Sequence, residues 1–148
     1  MPLSPRREAR IGPNLRPGSY QVTSPEGGTY NCIAFAFGST SLWMWPADED
    51  AAWPDGVLNE ESVAALVALF ESIGYERSVH GGPVAGSENV AIYADEAGIP
   101  THASVQRADG PWTSKLGGWE DISHVNSDVV AGALCGKPVV DLWRKPGG

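Results

Sequence analysis

Cys32 is the residue best placed to act as a nucleophile. It follows Asn31 and opens an apolar run that ends at Gly38. Asn is a good N-cap and Gly a good C-terminal stop, so residues 32–37 are predicted to form a buried helix. A thiol in the first turn of a helix lies at the positive end of the dipole, which lowers its pKa. The alternative is that Cys32 is a small core residue, as most free cysteines are.

A cysteine nucleophile needs a base within hydrogen-bond reach and a third group that orients the base. Of the three histidines, His102 is predicted to lie on a rigid strand, which favours it as the base. His80 is predicted to lie in a surface loop. The alternative for His102 is a half-buried sheet residue that hydrogen-bonds to the backbone.

Asp121 is the carboxylate predicted to orient His102. It follows the predicted hairpin and can fold back toward the start of the strand that carries the histidine. Two further residues are predicted to support the site. They are Ser114, on the neighbouring strand, and His124, three residues past Asp121.

Groups near the start of the helix are predicted to complete the site. The backbone N–H of Cys32 would donate to an oxyanion, with support from Asn31. The loop after the helix carries Trp43 and Trp45, which are predicted to be mostly buried and to form a substrate-binding wall beside Cys32. The alternative is that this loop only covers the core.

The spacing of apolar residues changes along the sequence, and this change predicts the helices and strands that position these residues. Asn59 is predicted to cap a scaffold helix in which apolar residues recur at helical spacing until Gly74 ends it. After Gly86 the period becomes two, and Asp109-Gly110 is a strong hairpin signal, which predicts an antiparallel meander with the cysteine helix packed on it. The predicted strands are 20–23, 75–80, 89–94, 101–107, 112–116 and 138–143. The other predicted elements are a loop at 117–124 and a short helix at 129–134.

Length and composition predict one α+β domain at residues 19–144. An extended N-terminal arm is predicted at 1–18, packed on the domain through Ile11 and Leu15. A disordered tail is predicted at 145–148.

The net charge of −8 argues against a nucleic-acid surface, which needs a basic stripe. No apolar run is long enough for a membrane span, and the N-terminal arginines are not followed by the apolar segment of a signal peptide. We therefore expect a cytoplasmic protein without membrane contact. No metal or cofactor is expected, and the oligomeric state is left open.

The order of these parts resembles the papain-like cysteine peptidases in their small bacterial form, the NlpC-type cell-wall peptidases. The matching parts are Asn31-Cys32 with its apolar helix, and the hairpin 90–116 that carries His102. The resemblance implies a papain-like fold and a peptidase, amidase or deamidase acting on a peptide or amide substrate. Two departures stand out. Asn89 occupies the position where the NlpC pattern has its histidine, and no glutamine shortly precedes the cysteine.

A second resemblance covers residues 30–124. The motif Tyr-Asn-Cys-Ile-Ala at 30–34, the Trp-Pro loop and the segment 112–117 are similar to an uncharacterised bacterial family. That resemblance implies no activity.

Two other classes of function stay open. The first is a Cys2His2 zinc site, although the paired spacing typical of zinc ligands is missing. Its ligands would be Cys32, His102, His124 and Cys135. The second is a non-catalytic binding or immunity-type module that grips a basic protein partner through an acidic, Trp-rich loop. The loop residues are Trp43, Trp45, Trp53 and the acidic residues 48–50.

Overall fold

A computed structural model of the chain describes residues 2–16, 18–79, 81–108, 110–116, 119–132 and 134–146. The elements in chain order are α1 (Pro5–Ile11), β1 (Tyr20–Ser24), α2 (Cys32–Phe37), α3 (Val63–Glu71), β2 (Glu76–Arg77), β3 (Glu88–Ala94), β4 (Pro100–Gln106), β5 (Trp112–Lys115), β6 (Asp121–His124), a 3₁₀ helix (Ser127–Val130) and β7 (Lys137–Arg144). None of the helices in these ranges has the length and apolarity needed to cross a membrane.

The strands of the described residues form one antiparallel sheet in the order β1-β6-β5-β4-β3-β7-β2. The predicted meander is confirmed: β3 pairs with β4, and β4 pairs with β5. The prediction of a loop at 117–124 is wrong in its second half, where β6 pairs with both β5 and β1. Four residues are too few to show a period of two, so sequence patterning misses this strand.

Two hydrophobic cores cover the two faces of the sheet. On one face α2 and α3 contribute Ile33, Leu66 and Phe70, which pack with Ile92 of the sheet. On the other face the N-terminal segment packs against the sheet and the 3₁₀ helix. The buried residues there include Leu3, Ile11, Leu15, Tyr93, Ile122 and Val130. The sheet is therefore covered by α2 and α3 on one side, and by the N-terminal segment with α1 and by the 3₁₀ helix on the other.

Helix α2 has the predicted caps. Asn31 Oδ1 accepts the N–H of Ala34 at 3.1 Å. Gly38 has a φ of +110°, and its N–H donates to the carbonyls of Ala34 and Phe35. A left-handed residue at this position favours glycine because it has no Cβ. The two caps place Cys32 in the first turn, packed against β4 and β5.

The N-terminal segment is helical where an extended arm was predicted. Helix α1 begins at Pro5 after Ser4, whose hydroxyl accepts the N–H of Arg7 at 3.2 Å. Proline at the first helical position and serine at the N-cap are both favoured there. Ile11 and Leu15 are buried as predicted.

Two other helix predictions need correction. Helix α3 begins at Val63 and is capped by Ser62, because the predicted cap Asn59 instead accepts the N–H of Ala47 at 2.5 Å. The short helix predicted at 129–134 is the 3₁₀ turn Ser127–Val130. His80, Asp109 and the tail residues 147 and 148 lie outside the described residues.

Candidate active site

A cavity of about 280 Å³ lies at the start of β4, on the side where the chain leaves β5. Cys32 and His102 both line it. Its lining residues are Cys32, Thr101, His102, Leu116, Trp119, Leu134 and Cys135.

Cys32 is a buried thiol with a raised pKa. Burial raises its pKa to about 11, although the backbone N–H groups of Ala103, Ile33 and Cys32 itself act in the opposite direction. The prediction of a lowered pKa is therefore wrong. Desolvation of a thiolate exceeds what the N-terminus of a six-residue helix can offset.

His102 belongs to a chain of hydrogen bonds on the sheet. Its Nε2 lies 3.1 Å from Ser114 Oγ, and Ser114 Oγ lies 2.8 Å from His124 Nε2. His124 Nδ1 in turn lies 2.7 Å from the carbonyl oxygen of Asn126. Ser114 and His124 were predicted as supporting residues. Ser114 contacts His102 directly, and His124 is joined to His102 through the Ser114 hydroxyl.

The positions of the protons in this series of hydrogen bonds can be assigned. Burial lowers the pKa of His124 to about 4, and burial together with His124 lowers the pKa of His102 to about 3, so both rings are neutral near pH 7. A carbonyl only accepts, so His124 Nδ1 carries the proton and its Nε2 accepts from Ser114. Ser114 has one proton, so His102 Nε2–H must donate to Ser114. The Nδ1 of His102 is therefore unprotonated, and it bonds to no described residue.

Cys32 and His102 reach the cavity from opposite faces of the sheet. The N–H of Ala103 faces the sulfur, and Ala103 packs in the same core as Cys32. His102, one residue earlier in the strand, points to the other face. There its ring meets Tyr93 edge to face, with centroids 4.9 Å apart. No hydrogen bond joins Cys32 to His102 in the described part of the chain.

Asp121 is placed away from His102, so its predicted role as the orienting carboxylate is not supported. It lies opposite Lys115 in the β5–β6 register, on the face that carries α2. Its Oδ2 accepts a 2.5 Å hydrogen bond from the hydroxyl of Tyr30. Ser114 takes the position beside His102 that was predicted for the carboxylate.

Asn31 holds the helix and the loop that follows it. Its Oδ1 accepts the N–H groups of Ala34 and Met44, each at 3.1 Å, and its Nδ2 donates to the Met44 carbonyl at 2.6 Å. The amide is therefore a structural cap, and its support of an oxyanion stays a prediction.

The two predicted substrate-binding tryptophans do not line the cavity. Trp43 is 40% exposed, which contradicts its predicted burial. Trp45 is half-buried, packs on the α2 core and donates to Glu61 at 2.9 Å. The tryptophan at the cavity is Trp119, and the guanidinium of Arg7 lies 4.8 Å from its ring. This contact joins α1 to the segment before β6, a long-range pairing that local sequence does not signal.

Other residues near Cys32 were missed by sequence reasoning. Lys115 is buried beside Asp121, and the mostly polar strand Trp112–Lys115 offers no local signal of that burial. Cys135 lines the same cavity, and burial raises its pKa. The four residues of the zinc hypothesis do not assemble, because no three His, Cys, Asp or Glu side chains of the described residues converge on a common point.

The fold and the cavity define an α+β protein with a buried cysteine at the start of a helix that packs on an antiparallel sheet. Residues 21–142 match the family model described as Domain of unknown function (DUF7689), and the chain belongs to that family. No curated protein and no solved structure matches it.

Proposed function

We propose that the protein is a cysteine hydrolase or acyl transferase, with Cys32 as the nucleophile and His102 as its base. The hydrogen-bond chain from His102 through Ser114 to His124 carries this proposal. It fixes the His102 ring with an unprotonated Nδ1, and His102 lines the cavity that Cys32 also lines. A base held in one tautomer by a neighbouring residue is what thiol and hydroxyl nucleophiles require.

The proposed reaction is acyl transfer through a thioester. The sulfur of Cys32 attacks the carbonyl carbon of an amide, and its proton passes to His102 Nδ1 as the S–C bond forms. The imidazolium keeps its Nε2–H on Ser114 and gives the new proton to the leaving amine as the C–N bond breaks. Water or a second amine then takes the acyl group. N–H groups of Ile33 and Ala103 beside the sulfur would stabilise the negative charge.

The papain-like relationship and the substrate class form part of this proposal. A cysteine at the start of α2 and a histidine near the start of an antiparallel strand support it. A larger cleft of about 680 Å³ shares Thr101 with the Cys32 cavity and offers room for a peptide or amide substrate.

The resting pair is a neutral thiol and a neutral imidazole. The pKa of Cys32 is raised to about 11, and that of His102 is lowered to about 3, both chiefly by burial. The proton therefore moves during attack, and no thiolate–imidazolium pair forms beforehand. Hydrogen bonds of catalytic pairs are often long before substrate binds, and the pair is expected to close on the substrate.

Acylation by p-nitrophenyl acetate tests the proposal. We expect Cys32 to gain one acetyl group, located by peptide mapping, with release of nitrophenolate. His102→Ala should slow this step by about 100-fold, since positioned general bases contribute at least that much. Cys32→Ser is the control that should not form the thioester. Acetylation that is equally fast in His102→Ala, or that favours Cys135, would contradict the assignment of the base.

A second candidate function is the binding of a basic protein. Residues 18–76 contain nine acidic residues and no lysine or arginine, whereas the rest of the chain has ten basic and nine acidic residues, so the excess negative charge resides in this segment. Trp43 and Leu42 are exposed in the same segment, next to the exposed residues 48–50. An exposed tryptophan within an acidic surface suits a partner with basic and apolar side chains.

A lysine-rich peptide containing leucine, titrated by calorimetry, tests this second candidate. Binding should weaken as salt increases and should fall in Trp43→Ser. Ser41→Ala, a change at another exposed position of the same loop, is the control. Absence of binding at low ionic strength would remove this candidate and leave the acylation proposal untouched.

A further inference from the structure

Lys115 is a buried cation that the proposed mechanism does not use. Its side chain is 1% exposed. It lies in β5, opposite Asp121, on the face of the sheet against which α2 packs. Burial of an ammonium is costly, so a lysine at this position calls for a specific partner or a function.

The partners in the described residues do not fully satisfy the ammonium. Its Nζ donates to the carbonyl of Trp119 and lies 5.3 Å from the centre of the Tyr30 ring. The distance from Nζ to Asp121 Oδ1 is 3.9 Å, longer than a hydrogen bond. Since an ammonium has three N–H groups, donor capacity is left for a further negative group.

The carboxylate of Asp121 also lacks part of its hydrogen bonding. Its Oδ2 accepts from Tyr30, but its buried Oδ1 has no hydrogen-bond partner among the described residues. The carboxylate is fixed by Tyr30 and holds Lys115 nearby without saturating it. Tyr30 lies two residues before Cys32, so the same short segment positions the carboxylate and the nucleophile.

The field of Lys115 reaches the sulfur. Burial raises the pKa of Cys32, and the ammonium lowers it. In the reverse direction, burial lowers the pKa of Lys115, while Asp121 and, to a smaller extent, Cys32 raise it. His102 is neutral and cannot supply this positive charge in the resting state.

We propose that Lys115 is a positioning residue for the Cys32 nucleophile: its ammonium, held by Asp121 and Tyr30 on the face of the sheet against which the Cys32 helix packs, stabilises the negative charge that develops on Cys32. The inference rests on the proposed function of Cys32 as a nucleophile. It assigns the electrostatic part of thiol activation to Lys115 and leaves proton transfer to His102.

Labelling of Cys32 with iodoacetamide, quantified by peptide mapping across a pH series, tests the inference without a substrate. Lys115→Met should shift the labelling profile to higher pH and slow labelling near pH 8 by about tenfold, since one pKa unit changes the thiolate fraction tenfold. Lys115→Arg should restore it, because it returns the charge. Lys145→Met is the control, since Lys145 is exposed and lines neither the Cys32 cavity nor the larger cleft.

The direction of the change separates an electrostatic role from a structural one. A variant that only loosens the fold would expose Cys32 and Cys135 together and speed the labelling of both. Slower labelling of Cys32 with Cys135 unchanged supports the inference, whereas an unchanged or faster Cys32 overturns it. If His102→Ala still blocks acylation while Lys115→Met labels normally, the inference fails and the proposed function stands.

A second variant covers the case in which Lys115→Met does not fold. Lys115→Gln removes the charge but keeps an N–H group that can donate to the Trp119 carbonyl. It should slow the labelling of Cys32 near pH 8 as Lys115→Met does, because the thiolate loses the same positive charge. Labelling of Cys32 in Lys115→Gln at the wild-type rate would overturn the inference.

Discussion

The amide of Asn31 binds both backbone polar groups of Met44: Oδ1 accepts the N–H at 3.1 Å, and Nδ2 donates to the carbonyl at 2.6 Å. The same Oδ1 caps α2 through Ala34. One buried side chain therefore joins the helix that carries Cys32 to the tryptophan-rich loop after it.

Removal of this amide should be strongly destabilising. Asn31→Ala loses a helix cap and leaves two buried backbone groups of Met44 unpaired, so we expect a loss of about 3 kcal/mol in the free energy of unfolding, measured with urea. Asn59→Ala is the matched control, because exposed Asn59 accepts one hydrogen bond, from Ala47. Its loss should stay near or below about 1 kcal/mol. Equal losses would mean that the Asn31 contacts contribute no more than a surface turn.

The caps of α2 and the meander were predictable because their signals are local. Asn31, Gly38 and the alternating period of β3 to β5 each lie within a few residues of the structure they specify. The β5–β6 pairing that buries Lys115 beside Asp121 depends on register between strands, which neither strand encodes alone. Whether a given tryptophan is buried likewise depends on tertiary contacts that its local sequence does not encode.

The two histidines should make stability depend on pH. Burial lowers the pKa of His102 to about 3 and that of His124 to about 4, whereas a histidine in the unfolded chain titrates near about 6.5. Between these values the unfolded chain binds protons that the folded protein does not. Stability is therefore complete above about pH 6.5 and falls with decreasing pH, by about 1.4 kcal/mol per pH unit for each histidine.

Urea unfolding at several pH values between about 7 and 4.5 checks this slope. His124→Gln should remove about half of it, because one of the two buried imidazoles is gone. Buried carboxylates contribute mainly below this range, so they do not explain a loss that begins near pH 6. A wild-type stability that is flat from pH 7 to 5 would show that these rings take up protons in the folded protein as readily as in the unfolded chain.

The hydrogen-bond chain predicts opposite tautomers for the two rings. His102 should carry its proton on Nε2 and His124 on Nδ1, because the Asn126 carbonyl only accepts and Ser114 has a single proton. Long-range ¹H–¹⁵N NMR near pH 7 distinguishes these forms directly. Ser114→Ala should broaden or change the His102 pattern while the His124 Nδ1–H remains. Observation of one tautomer in both rings would remove the observation on which the choice of His102 as base depends.

Gly136 and Gly98 share nearly the same backbone angle but differ in their surroundings. Their φ values are +77° and +81°. A Cβ on Gly98 would meet nothing within 4 Å, whereas a Cβ on Gly136 would lie 2.3 Å from the Ala94 carbonyl oxygen and 2.7 Å from Thr101 Oγ1. Any difference between the two alanine variants therefore measures steric contact separately from backbone strain.

Gly98→Ala should cost about 1 kcal/mol of unfolding free energy, the usual penalty of a left-handed non-glycine residue. Gly136→Ala should cost at least about 2 kcal/mol more, because backbone atoms must move to admit the methyl group. The displacement should also reach the candidate active site, since Thr101 donates to the Cys135 carbonyl and both residues line the cavity. Labelling of Cys135 by iodoacetamide should therefore rise in Gly136→Ala and stay at the wild-type rate in Gly98→Ala. Equal stabilities and equal labelling in the two variants would mean that the segment around Gly136 does not pack against β3 and β4 in solution.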